Sequence, residues 1–317
     1  MNHPPVTAQP LHKLALIGTG LIGGSFALAL KKHKLVTEVV GYTRSAASKE
    51  RALDAGVIDA GCDCIEQTVA GADLVFVATP VQAMDAVFNA LSACLPENAL
   101  VTDGGSVKQA VFARAGAHFS PDQLARFVPG HPIAGKERSG PEAAAADLFE
   151  QHRVILTPVA DITDDAAVHT VHALWAAIGA EVESLELAEH DHLLAATSHL
   201  PHAAAFAMVG ALLKLDERYD VFRYAAGGFR DFTRIASSDP KMWADIFRDN
   251  RDELHRLIAQ YRTELETLSK LAGDADGRAL FEYLSEIKRI RDDLFPPEQP
   301  LVLNSADQTA KPRAEQP

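Results

Sequence analysis

The segment Gly18-Thr19-Gly20-Leu21-Ile22-Gly23 follows the apolar run Leu14-Ala15-Leu16-Ile17 and opens into Ser25-Phe26-Ala27-Leu28-Ala29-Leu30. A G-x-G-x-x-G element between a strand pattern and a helix pattern constrains the fold more than any other feature of the chain. Gly18 permits a tight turn, Gly20 lets backbone approach a pyrophosphate, and Gly23 allows close helix–strand packing. Leu21 and Ile22 then begin a helix whose N-terminus faces the anion. Glycine also punctuates turns that bind nothing, so the inference rests on the strand and helix that flank the motif. Gly18, Gly20, Leu21, Ile22 and Gly23 are expected to meet a dinucleotide.

About 20 residues downstream, such a motif places the group that reads the adenosine ribose. Glu38-Val39-Val40-Gly41-Tyr42 reads as the second strand, and its end carries Thr43-Arg44-Ser45 where an acid would hold the 2′-hydroxyl of NAD. A guanidinium forks onto phosphate oxygens and small hydroxyl residues leave room, so NADP is favoured, with NAD possible. A solvated surface role for Arg44 stays open.

Length admits two domains or one large one, and 47% hydrophobic content is enough for a substantial core. The formal net charge of −13 argues against nucleic acid and anionic membrane as partners, since both are bound through accumulated Lys and Arg. Cys62, Cys64 and Cys94 give neither an even disulfide framework nor zinc-site spacing. No metal is expected. The N-terminal residues lack a leader pattern, and a soluble cytoplasmic protein follows.

Further apolar β-type runs recur between helical stretches: Leu74-Val75-Phe76-Val77-Ala78, Leu100-Val101-Thr102, Arg126-Phe127-Val128 and Val154-Ile155-Leu156. Such alternation predicts an α/β fold with a Rossmann-type, doubly wound parallel sheet. The runs end in short turns at Thr79-Pro80, Asp103-Gly104-Gly105-Ser106, Gly130-His131-Pro132 and Thr157-Pro158. Ligands bind at such carboxyl ends, so Thr79 and Pro80 join the expected cofactor site.

Beyond about Ser184 the strand signals vanish and apolar residues return at helical spacing. The expected organisation is a dinucleotide-binding domain over 12–184, an all-helical substrate and dimerisation domain over 185–295, and a disordered, proline-rich tail over 296–317. Pro201 predicts a kink within a helix over 190–213. Asp239-Pro240 starts another helix, with one apolar stripe running from Trp243 to Leu268 and a second from Leu280 to Leu294. Two long apolar faces on a small helical domain favour a homodimer.

Ser106 and His131 are the first candidates for chemistry. A neutral imidazole on a loop at the carboxyl edge of the sheet can accept a proton near pH 7 while hydride leaves for the cofactor. Taken alone, a histidine in a glycine–proline turn is more often a structural residue.

Several motifs jointly carry a resemblance. Gly18 to Ser25, Ala78-Thr79-Pro80, Asp103-Gly104-Gly105-Ser106-Val107-Lys108 and His131-Pro132-Ile133-Ala134-Gly135 resemble the prephenate/arogenate dehydrogenase family of tyrosine biosynthesis. Ser198-His199-Leu200-Pro201-His202, Gly227 to Ala236 and Asp239-Pro240-Lys241-Met242-Trp243 continue it in the same order. The resemblance spans roughly Leu14 to Leu294. It implies oxidative decarboxylation of prephenate to 4-hydroxyphenylpyruvate, or of arogenate to tyrosine. In that reaction hydride leaves the hydroxyl-bearing ring carbon, a base takes the hydroxyl proton, and carbon dioxide departs as the ring becomes aromatic.

By the same resemblance His131 is the catalytic base and Ser106 orients it and the substrate hydroxyl. Arg234 grips a substrate carboxylate, and Arg230, where the family often has lysine, adds positive charge. If helical, the two arginines share one face; pairing with Asp231 is the alternative. Ser198 and His202 meet the substrate side chain, and Trp243 lies near that pocket, although both His202 and Trp243 also suit a core role. Glu137 is the family's acid after the histidine motif. Lys136 before it departs from the small residue of many members, and either favours a pyruvyl carboxylate or pairs with Glu137. No mutase or regulatory segment is expected before Leu14 or after Pro296, hence a monofunctional chain. Alternatives are another two-domain dehydrogenase of the β-hydroxyacid type, and a non-catalytic dinucleotide sensor.

Overall fold

The computed structural model describes residues 8–135 and 138–296, apart from the side chains of 216–218. The chain separates into two compact units, residues 1–258 and 259–317. The expected boundary at 184/185 therefore falls inside the first unit. The expected tail lies outside the described residues from position 297 onward, as do Lys136 and Glu137.

The first unit begins with strands and helices in alternation: β1 (Leu11–Ile17), α1 (Leu21–Lys32), β2 (Val36–Tyr42), α2 (Ala46–Asp54), β3 (Ala60–Cys62), α3 (Ile65–Val69), β4 (Leu74–Val77), α4 (Val81–Cys94), β5 (Leu100–Asp103), α5 (Lys108–His118), α6 (Pro121–Ala125) and β6 (Phe127–Val128). The six strands form one parallel sheet in the order β3-β2-β1-β4-β5-β6. Because side chains alternate along a strand, Leu14 and Leu16 of β1 face one core with Phe26, Phe76 and Trp175, while Ala15 and Ile17 face another with Phe88 and Phe127. Both faces are covered, as a parallel sheet requires. The chain winds outward from β1 in two directions, and the carboxyl ends of β1 and β4 meet at the crossover point.

Three further strands, β7 (Gly130–Pro132), β8 (Arg153–Leu156) and β9 (Glu181–Ser184), form a separate sheet, with α7 (Asp165–Ala177) between the last two. This corrects two expectations. Val154 to Leu156 does not join the parallel sheet, and Gly130 to Pro132 is not a turn: β7 pairs antiparallel with β8, His131 opposite Ile155. An apolar run specifies a buried strand without specifying its sheet. Here the redirection is made by Asp103, whose Oδ1 accepts from Gly130 N at 3.1 Å, and by Lys108, whose Nζ donates to Gly130 O at 2.6 Å.

The helices that follow in the first unit are α8 (Leu187–Leu194), α9 (Leu200–Tyr219), α10 (Gly227–Thr233), α11 (Pro240–Asp249) and the beginning of α12 (Arg251–Ala272). Between α8 and α9 the backbone widens into a π turn over Ala195–His199. Pro201 has no N–H for the carbonyl of Thr197, and a π segment is one way a helix absorbs that loss. The predicted kink is thus a widened turn in a helical run longer than 190–213. The stripe from Trp243 to Leu268 is likewise divided between α11 and α12 at Asn250. Asp239 caps α11 by accepting from Met242 N at 2.7 Å, with Pro240 in its first turn.

Residues 259 onward comprise the C-terminal part of α12 and α13 (Arg278–Leu294), joined by Tyr283 Oη donating to Glu264 Oε2 at 3.2 Å. No residue of α13 is buried. Among the described residues no helix is long and apolar enough to cross a membrane.

Candidate active site

The turn after β1 has the geometry its glycines require. Gly18 adopts φ +100°, and a Cβ there would lie 2.5 Å from the carbonyl oxygen of Ala78. A Cβ on Gly23 would lie 2.2 Å from Gly18 O, so α1 rests directly on the turn, whereas at Gly20 nothing stands within 4 Å. The first glycine makes the turn, the third allows the packing, and the second leaves room for a ligand. Neither a side-chain cap nor an acidic residue occupies the start of α1, which leaves its N–H groups for an anion.

A cavity of about 600 Å³ opens at the carboxyl ends of β1, β2 and β4; Gly18, Gly20, Thr43, Arg44, Thr79 and Pro80 line it. Leu21, Ile22 and Gly23 form the first turn of α1 beside it, and Ser45 is the N-cap of α2, accepting from Ser48 N at 3.4 Å. Among the lining residues that were not foreseen are Ser48 and Arg51. Arg51 Nη2 donates to Ser48 Oγ at 3.1 Å and its Nε pairs with Glu142 at 3.1 Å. The cavity also contains a buried hydroxyl, Thr79 Oγ1, with no hydrogen-bond partner. Open space at Gly20, an orphaned hydroxyl and two guanidinium groups fit a phosphate-bearing dinucleotide.

His131 does not line that cavity. Its Nδ1 lies 2.9 Å from His190 Nε2, and His190 Nδ1 lies 2.8 Å from Asp191 Oδ1. The same carboxylate accepts from Lys108 N at 2.7 Å and Gln109 N at 2.9 Å, so Asp191 closes the start of α5 while it holds His190. Burial, reinforced by the neighbouring His190, Lys108 and His199, holds His131 well below the ordinary histidine range. It is a neutral base at pH 7. Burial also lowers His190, against the opposing pull of Asp191. Burial alone would raise the Asp191 carboxyl, but hydrogen bonds from His190, Lys108 and Gln109 outweigh it and keep the group ionised. Beneath them Lys108 and Asp103, both fully buried, pair at 2.6 Å.

Ser106 lies between β5 and α5 and makes no hydrogen bond among the described residues; His190, not Ser106, is the partner of His131. On the helical side, His202 stacks on Trp243 with ring centroids 3.6 Å apart, and its Nδ1 is 2.9 Å from the carbonyl of Ser198. Trp243 is buried against Val107 and Ile246 with its Nε1 unpartnered. Asn250 ties this cluster to the histidine pair: its Nδ2 donates to Asp191 O at 2.8 Å and lies 3.2 Å from His199 Nδ1. Arg114 of α5 grips Asp249 at 2.9 and 3.1 Å, which seats α11 on the nucleotide fold. Arg230 lies in α10, while Arg234 opens a 3₁₀ turn over Arg234–Ser237 that packs against α9; both are exposed. They do not sit on one uninterrupted helix, because the winding tightens at Arg234.

Residues 26–184 match the family description "Prephenate dehydrogenase, nucleotide-binding domain", and residues 186–286 match "Prephenate dehydrogenase, dimerization domain". The chain is 36% identical over 280 residues to a cyclohexadienyl dehydrogenase of Zymomonas mobilis, covering 88% of this chain and 94% of that one. It is 37% identical over 287 residues to a prephenate dehydrogenase of Bacillus subtilis, covering 89% and 76%. The crystal structure of prephenate dehydrogenase from Aquifex aeolicus, in complex with hydroxyphenyl propionate and NAD+, superposes with a TM-score of 0.83 at 37% identity, covering 89% of this chain and 98% of that one. The chain belongs to the prephenate dehydrogenase family. Membership of that family separates it from the β-hydroxyacid dehydrogenases, and as an oxidoreductase it is not the non-catalytic sensor that the dinucleotide motif alone leaves open.

In this member of the prephenate dehydrogenase family, the residues that sequence reasoning missed are those acting at one remove. Asp103 and Lys108 stand in the motif around Ser106, an acid and a base five residues apart across a strand-to-helix turn. His190-Asp191 reads only as the beginning of a helix. Nothing local in the sequence pairs His190 with a histidine 59 positions away.

Proposed function

We propose that this chain oxidises and decarboxylates prephenate, arogenate or both, with NADP favoured over NAD, using His131 as the base. The observation that carries the reading is His131 itself: neutral, half-buried and held at one nitrogen by His190. A nicotinamide dinucleotide supplies the hydride acceptor when bound. His131 takes the proton of the ring hydroxyl, and Ser106, with no hydrogen bond among the described residues, is available to hold that hydroxyl. Arg234 and Arg230 are the cations for substrate carboxylates in an otherwise acidic chain, with Glu137 as a further substrate contact. Ser198 and His202 meet the substrate side chain, with Trp243, on which His202 stacks, beside that pocket.

The cofactor preference is supported by Thr43 in place of an acid and by Arg44 and Arg51 on the cavity wall. Gly18, Gly20, Leu21, Ile22, Gly23, Ser45, Thr79 and Pro80 complete the dinucleotide set. A homodimer is supported by the dimerization-domain match and by exposed Phe281, Leu284, Ile287 and Leu294 of α13. We further propose a small-molecule substrate, no nucleic-acid or membrane partner, and a cytoplasmic location, which the free cysteines suit. We propose domain limits of 12–184 and 185–295, a boundary supported by family matches that end at 184 and begin at 186. The test is formation of reduced nicotinamide with prephenate and with arogenate, each with NADP+ and NAD+. Turnover of at least one substrate is expected, and no turnover of either would overturn the reading.

A further inference from the structure

We infer that His190, backed by Asp191, is a positioning residue that fixes which nitrogen of His131 carries the proton and receives positive charge from it during turnover. The inference rests on the reading of His131 as the base.

The chain of contacts has only one arrangement of protons that satisfies every atom. Asp191 is an ionised carboxylate, which accepts only, so the hydrogen between it and His190 belongs to His190 Nδ1. A neutral imidazole has one donor and one acceptor. With Nδ1 protonated, His190 Nε2 is an acceptor, and the hydrogen bond to His131 at 2.9 Å must then be donated by His131 Nδ1–H. His131 Nε2 is left with its lone pair and, among the described residues, no hydrogen-bond partner. Asp191 thereby selects, across two rings, the tautomer of His131 that can accept a proton at Nε2.

The burial of the array gives this selection its strength. His190 is fully buried and Asp191 is 1% exposed, so water cannot substitute for a missing partner, and an imidazole turned to the wrong tautomer would set two acceptors against each other. The facing charges are few: Lys108 and Asp103 neutralise one another beneath the pair, and His199 is engaged by Asn250. When substrate gives its hydroxyl proton to His131 Nε2, the imidazolium needs a counter-charge. The Nδ1–H can pass to His190 Nε2 while His190 Nδ1–H stays on Asp191. The proton count is conserved: one arrives at His131 Nε2, one moves from His131 Nδ1 to His190 Nε2, and the cation ends beside the carboxylate.

The test is nitrogen NMR of the full-length enzyme with 15N-labelled histidine, together with steady-state kinetics of His190→Leu and His190→Gln. The wild-type spectrum should show His131 as the Nδ1–H tautomer at pH 7, a result that needs no variant to fold. His190→Leu should give a mixed tautomer and lower kcat by on the order of ten- to a hundredfold, part of the roughly 10²–10⁴-fold that a positioned base contributes. Cofactor affinity should be unchanged, since His190 does not line the dinucleotide cavity. In His190→Gln the carboxamide oxygen can accept from His131 Nδ1–H but cannot take up a proton, so it should restore the tautomer and only part of kcat. An Nε2–H tautomer in the wild type, or unchanged tautomer and kcat in His190→Leu, would overturn the inference. Undiminished turnover in His131→Asn would instead overturn the assignment of the base on which it rests.

Discussion

Thr43 and Arg44 follow β2 at a position where a carboxylate would repel a phosphate and hold a ribose hydroxyl pair instead. A charge-assisted hydrogen bond is worth about 1.5–3 kcal/mol, so efficiency should favour NADP+ over NAD+ by roughly ten- to a hundredfold. Thr43→Asp should shrink or reverse that ratio in kcat/KM measured with each cofactor; a native preference for NAD+ would mean that Arg44 points away from the nucleotide. Thr43 and Arg44 were legible because the motif fixes their distance from Gly18. Arg51, which lines the same cavity, was not, because its approach depends on α2 folding back beside the β2 end. His131 and His190 differ likewise: His131 sits in a local motif, and His190 reaches it through tertiary packing across 59 positions.

At the scale of elements, the glycine turn allows a sharper contrast. Gly23→Ala would drive a methyl group to 2.2 Å from a backbone oxygen that cannot give way, so α1 must move off the turn at a cost of about 1–3 kcal/mol. A lowered melting temperature together with weakened dinucleotide binding is expected. Gly20→Ala meets nothing within 4 Å in the protein and should melt like the parent while binding the dinucleotide less well. Equal melting temperatures for Gly23→Ala and the parent would mean that α1 does not rest on Gly18. Strands β1, β2, β4, β5 and β6 of the parallel sheet were readable from apolar runs punctuated by turns, whereas the short edge strand β3, Ala60–Cys62, carries no such run and was missed. β7 was hidden, because three residues containing Gly130 and Pro132 look like a turn until Asp103 and Lys108 pin Gly130 in place. The widened turn at Ala195–His199 was half-visible: Pro201 demands a distortion but does not dictate its form.

Across the molecule, burying neutral histidines makes stability depend on acid. Burial lowers His199 to about 4, against an unfolded value near 6.5, and shifts His131 and His190 in the same direction. Below pH 6.5 the unfolded chain binds protons that the folded one refuses, so stability falls as pH drops from about 6.5 toward 4. For His199 alone the loss is about 2 kcal/mol by pH 5. Urea midpoints should therefore be lower at pH 5 than at pH 7, and an equal or higher midpoint at pH 5 would contradict neutral burial of these rings. The order of a nucleotide-binding fold followed by helices was plain from the change in periodicity near Ser184. The compact units divide instead at residue 258, because α11 is seated on the nucleotide fold by Arg114 and Asp249, a pairing across 135 positions that no sequence pattern announces.

The most direct measurement is the turnover of His131→Asn with prephenate or arogenate, whichever the wild type uses, beside the dinucleotide affinity of the same protein. Turnover should fall by roughly 10²–10⁴-fold, the contribution of a positioned base, while affinity for the dinucleotide stays near that of the wild type. Unchanged turnover would contradict a catalytic His131.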